Sequence, residues 1–86
     1  MTYLEFFPYH NYRIRFKLTY GKELSGVIFE PMNHQERKKP DTVYEFVPER
    51  NIAEWGKAEQ KGDKEKKKSL QDEIDITNIV WAERME

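Results

Sequence analysis

The chain has no cysteine, so disulfides, thiolate metal sites and cysteine nucleophiles are excluded, and stability has to come from packing alone. No apolar run approaches the roughly 18 residues that a membrane span requires. Met1 to Tyr12 lacks the basic start and apolar stretch of a signal peptide. These absences predict a cytoplasmic protein with no membrane partner. Net charge is nearly absent as well: 15 basic residues face 16 acidic ones, for a formal charge of −1. No global field therefore draws the chain onto nucleic acid or an anionic surface, and any such binding would need a local patch.

Chemistry-bearing patterns are equally scarce. The only histidines are His10 and His34, which would have to meet carboxylates such as Glu30 or Glu36 in space to hold a metal, and nothing in the spacing predicts that. The serines and threonines show no nucleophile elbow, Gly21-Lys22 lacks the upstream glycine of a phosphate loop, and no glycine-rich turn precedes a helix. Asp72, Glu73 and Asp75 stand where exposed charge is expected. The expectation is a non-enzymatic protein with no catalytic residues, no metal, no cofactor and no small-molecule substrate.

What is present is a set of large aromatics. With 86 residues the chain is one domain, residues 1–86, and a domain of this size buries only about 60 to 65% of the surface its unfolded form exposes. Five Phe, five Tyr and two Trp supply apolar area with few atoms, offsetting a hydrophobic fraction of 37%.

Tyr12-Arg-Ile-Arg-Phe-Lys-Leu-Thr-Tyr20 alternates strictly, with apolar side chains at even positions and polar ones at odd, which is the pattern of a half-buried strand. Tyr20 to Glu23 forms a turn in which Gly21 takes positive φ, and a second apolar stretch, Leu24 to Glu30, completes an antiparallel hairpin from Tyr12 to Glu30. Gly26 inside that stretch predicts a bend or bulge. Pro31 to Asp41 is polar and reads as an exposed loop; Thr42 to Val47 is a third strand, ended by Pro48.

Asn51-Ile-Ala-Glu54 has the spacing of a capping box and starts a helix running to about Lys61, held mainly by Trp55. Gly62 ends it and Asp63 caps a second helix reaching to about Asp72, so residues 51–72 form a charged helical hairpin. From Glu73 to Met85 two short strands are separated by a tight turn at Thr77-Asn78.

Three early strands, a helical insertion between the third and fourth, and two late strands separated by a one-turn break match the plan of SH3-like and Sm-like small barrels. Leu18-x-x-Gly21, followed by Gly26-Val27, Phe29-Glu30 and Met32-Asn33, resembles the first Sm motif. In that motif a strand, a glycine turn and a second strand lead to Asp-x-x-Met-Asn. Asn78-Ile79-Val80 is similar to the end of the second motif. The resemblance covers Tyr12 to Asn33 and Ile74 to Met85. It implies a mostly β fold, a five-stranded small barrel, and an RNA-binding homo-oligomeric ring whose base-holding loops contain Asn33 and Asn78. The chain departs from the motif in three ways. It is shorter between Gly26 and Asn33, Glu30 stands where Asp is usual, and Asp75-Ile76-Thr77 replaces the Arg-Gly pair before Asn78.

Two surfaces compete for function. Arg13, Arg15 and Lys17 project from one strand face at intervals of about 7 Å, close to the phosphate spacing of a nucleic-acid strand. The alternative is the ordinary polar face of a half-buried strand, neutralised by acids on neighbouring strands. A second basic patch could combine Lys64, Lys66, Lys67 and Lys68 with Arg37, Lys38 and Lys39, but acids are interleaved or adjacent, and the run reads as a solvated helix face. The apolar N-terminal segment, residues 1–11, contains Tyr3, Leu4, Phe6, Phe7 and Tyr9. It either plugs the open end of the barrel or forms an interface anchored by Phe6 or Phe7. On balance the sequence favours an interaction module that binds a protein or itself. Nucleic acid, through Arg13, Arg15, Lys17, Asn33 and Asn78, is the less favoured alternative.

Overall fold

The computed structural model describes residues 1–31 and 41–85. Five strands form one antiparallel sheet: β1 (Arg13–Leu18), β2 (Glu23–Phe29), β3 (Val43–Pro48), β4 (Asp72–Asp75) and β5 (Ile79–Arg84), in spatial order β4-β3-β2-β1-β5. Among the described residues three helices accompany it: α1 (Tyr3–Phe6), α2 (Ile52–Gln60) and α3 (Lys64–Ser69). Short 3-10 turns cover Phe7–Tyr9, Glu49–Asn51 and Ile76–Asn78.

The expected hairpin is present. The alternation in β1 sends Ile14, Phe16 and Leu18 inward, and the register pairs Arg13 with Val27 and Lys17 with Glu23. Gly21, at φ +90°, lets the turn close with its N–H bonded to the Leu18 carbonyl at 2.9 Å. At Gly26, where a bend or bulge is expected, there is no bulge: the β1–β2 register runs through it without a shift, and a Cβ there would lie 2.2 Å from the Val47 carbonyl oxygen. The residue is glycine because β3 approaches too closely for any side chain. Among the described residues the register shifts between Lys17 and Leu18, opposite β5.

A closed barrel does not form. β4 and β5 occupy opposite edges of the sheet yet are joined by only Ile76–Asn78. Five strands laid flat would hold those edges about 19 Å apart, while the link from Asp75 to Ile79 spans at most about 14 Å. The sheet must therefore curl at this end, but no ladder joins β4 to β5 among the described residues.

The concave side holds the core: Phe6, Ile14, Phe16, Leu18, Ile28, Tyr44, Phe46, Ile74, Ile76 and Ile79. Phe16 meets Phe46 edge-on at 5.3 Å, and Phe6 meets Tyr44 the same way at 5.6 Å. The helical hairpin lies between β3 and β4 in the chain, as expected, but starts differently. Asn51 has helical φ and ψ and its side chain caps nothing; its Nδ2 donates instead to the Leu70 carbonyl at 3.2 Å, tying the end of α3 to the start of α2. Gly62 at φ +68° stops α2, and the Asp63 side chain accepts from the Lys66 N–H to start α3.

Candidate interaction surface

The N-terminal segment is ordered by its own sequence. Thr2 and Glu5 form a reciprocal capping box, with Thr2 N–H donating to Glu5 Oε1 at 2.9 Å and Glu5 N–H to Thr2 Oγ1 at 3.2 Å. These bonds to Thr2 hold the Glu5 carboxyl below its ordinary pKa. The single turn that results divides its apolar side chains. Phe6 points into the core and is fully buried, so it is unavailable as an interface anchor. Tyr3, Leu4 and Phe7 share the outer side, 48%, 80% and 54% exposed, with the Tyr3 and Phe7 rings 6.0 Å apart.

The segment is also fastened to β5 at both ends. The Met1 ammonium donates to the carbonyls of Ile76 and Ile79, at 2.8 and 3.0 Å. At the far end, Arg84 donates from Nε and Nη2 to the Pro8 carbonyl, at 3.0 and 2.8 Å, and lies 4.0 Å from the Tyr12 ring centroid. The exposed aromatic face is thus displayed on a fixed support.

The basic row is present on β1 but largely engaged. Arg13 pairs with Glu49, which raises its pKa, and Arg15 pairs with Glu83 while lying 5.6 Å from the Trp81 ring centroid. Lys17 stands opposite Glu23 in the β1–β2 register. Asn78 is exposed beside the Leu18 end of the same strand, its carbonyl accepting from Thr19 N–H at 2.8 Å. Arg13 is at the other end, so the two are not brought together. Asn33, with Arg37, Lys38 and Lys39, lies outside the described residues. Asp75 is engaged within its own turn, where it accepts from Thr77 Oγ1 at 2.7 Å and Thr77 N–H at 3.0 Å, bonds that hold its carboxyl below the ordinary range. Lys66 and Lys67 are paired with Glu54 and Glu59 of α2 at 3.7 and 3.4 Å.

A cleft that the sequence does not announce lies between the outer face of β2–β3 and the helical hairpin. Trp55 of α2 packs on Phe29 of β2, ring centroids 5.7 Å apart. Its Nε1 donates to Gln71 Oε1 at 2.8 Å, and Gln71 Nε2 donates to Glu45 Oε2 at 3.3 Å. Glu30 closes one end, accepting from the buried Tyr44 hydroxyl at 3.2 Å. The one trace of it in the sequence is Trp55, the only aromatic residue of α2, with Glu59 four residues on; neither Gln71 nor Glu45 is tied to it by spacing.

Among the described residues, no cluster of three or more histidine or acidic side chains is arranged to hold a metal ion, and no helix is long and apolar enough to cross a membrane. Comparison with protein-family models, curated proteins and solved structures gives no match.

Proposed function

We propose that this chain is a non-enzymatic interaction module that associates with a protein surface, in the first instance a second copy of itself, through Tyr3, Leu4 and Phe7. The observation that carries this is the exposure of three large apolar side chains on a turn fixed by a capping box, by buried Phe6 and by bonds to β5. A surface already held in place loses little conformational entropy on binding, so its apolar area contributes more fully to affinity. The strand order β4-β3-β2-β1-β5, with a one-turn break between the edge strands, supports placing the module among SH3-like and Sm-like small barrels, opened between β4 and β5.

The rival, an Sm-like RNA-binding ring, draws less support. The guanidinium groups of Arg13 and Arg15 are engaged by carboxylates, and Asp75 serves its own turn. Sedimentation equilibrium up to millimolar concentration tests the proposal. The unmodified chain is expected to self-associate, and Leu4→Ser with Phe7→Ser to remain monomeric with an unchanged unfolding midpoint. A monomeric unmodified chain, or association indifferent to both changes, would sink it.

A further inference from the structure

β5 is an edge strand whose outer side carries a row of open backbone groups. Its other side is bonded to β1: the Met85 N–H donates to the Arg13 carbonyl at 2.8 Å, with Glu83 opposite Arg15 and Trp81 opposite Lys17. Backbone groups of an antiparallel strand alternate in direction, so those of Val80, Ala82 and Arg84 point away from β1. Among the described residues no backbone bond reaches them. The neighbouring Ile79 carbonyl is taken by the Met1 ammonium at 3.0 Å, so the open run begins at Val80. β5 contains neither proline nor lysine, two residues that commonly blunt such an edge, and the Val80 side chain is 56% exposed. β4, at the opposite edge, has four residues of which Asp72, Glu73 and Asp75 are acidic, so two copies of it would repel each other.

We propose that β5 pairs antiparallel with β5 of a second copy, about a two-fold axis through Ala82. The proposal rests on the self-association reading for its occupant and adds the geometry of the contact. In this register Ala82 faces the partner's Ala82 and Val80 faces the partner's Arg84 as hydrogen-bonded pairs, so every outward group of the three residues finds a partner. Trp81 stands opposite the partner's Glu83, and no like charges meet directly. Moving the axis to Glu83 would set two carboxylates against each other. Moving it to Trp81 would leave Arg84 facing Asn78, which lies outside the strand. A second copy fits better than an unrelated strand because the segment carrying Tyr3, Leu4 and Phe7 is fastened near both ends of β5, at Ile79 and Arg84. Joining two β5 strands brings the two segments alongside, so one contact bonds the edges and buries the apolar side chains. Such a contact is isologous and closes at two copies.

Because the chain has no cysteine, single cysteine variants report the register. The Cα atoms of a hydrogen-bonded pair lie about 5.5 Å apart, within disulfide reach, so Ala82→Cys is expected to form a covalent dimer in a glutathione redox buffer. Val80→Cys, whose two copies would stand about 13 Å apart, is expected not to. In the unmodified chain, amide exchange followed by NMR at low and high concentration should slow at least about tenfold at Val80, Ala82 and Arg84 on association. Val80→Pro removes one outward N–H, and Ile79, at φ −84° and ψ 122°, already has the extended conformation that a following proline requires. It should keep the folded spectrum and weaken dimerisation at least about tenfold. Association without slowed exchange at the three amides, crosslinking by Val80→Cys as readily as by Ala82→Cys, a folded Val80→Pro that dimerises normally, or a monomer at millimolar concentration would each overturn the proposal. Slowed edge amides in a dimer indifferent to Leu4→Ser with Phe7→Ser would instead remove the aromatic-turn reading alone, and unslowed amides in a dimer that depends on those two residues would remove only the edge pairing.

Discussion

Gly26 is the position least able to accept a side chain, because a Cβ would come within 2.2 Å of the Val47 carbonyl oxygen and 2.7 Å of Phe46 Cε1. Gly26→Ala is expected to cost more than about 2 kcal/mol, since backbone on β3 has to move. Urea denaturation measures this, and a loss within error of zero would show that β2 and β3 can separate freely. Tyr44 offers a pH test. Burial first, and the Glu30 carboxylate second, push its phenol well above the ordinary value of 10.0. The folded chain then holds that proton more tightly than the unfolded chain, so its contribution to stability is complete below pH 10 and declines as pH rises beyond it. The unfolding midpoint should fall above that pH, and Tyr44→Phe should fall less steeply; parallel profiles would refute the assignment. At this scale the sequence was informative about which residues are special and less so about why. Gly26 was visible as an irregularity, but the cause lies in β3, about 20 residues away. Phe6 and Phe7 look alike in sequence. Only the turn phased by Thr2 and Glu5 decides that the first is core and the second surface, and that capping spacing was there to be read.

Elements set by local pattern were the most legible. β1 and β2 follow from strict alternation and one glycine turn, and the break between α2 and α3 follows from Gly62 and Asp63. The position of the start of α2 at Asn51–Ile52 was legible too, but its capping was not, because the 3-10 turn Glu49–Asn51 already leads into the helix and frees the Asn51 side chain for Leu70. The cleft was illegible for the same reason that long-range contacts usually are: Glu45, Trp55 and Gln71 come from a strand, a helix and a loop, and no spacing joins them. The helical hairpin meets the sheet through Trp55, which packs on Phe29 and is linked through Gln71 to Glu45. Trp55→Ala is accordingly expected to speed amide exchange across Ile52–Gln60 and Lys64–Ser69 at least about tenfold, equivalent to a local loss of about 1.4 kcal/mol, while β1 and β2 keep their protection. Uniform acceleration through sheet and helices would instead place Trp55 in the global core.

For the whole molecule, the number of strands and their places along the chain were legible in the sequence, whereas the barrel that the resemblance implied is not closed. Alternation reports which face of a strand is buried and is silent on whether two edges meet. The fastening of the N-terminal segment and of β1 to β5 has a kinetic consequence. Met1 bonds to residues 75 and 78 positions away, and β1 pairs on its outer side with Ile79–Arg84. During synthesis, β1 stays an unprotected edge, and the carbonyls that receive the N-terminus do not yet exist, until β5 has emerged. Such distant contacts slow folding, because the entropy of closing the long loop is lost before any pairing repays it. A ribosome-bound intermediate lacking β5 would therefore present a six-residue edge ready to pair with a neighbour, a vulnerability invisible in the finished fold.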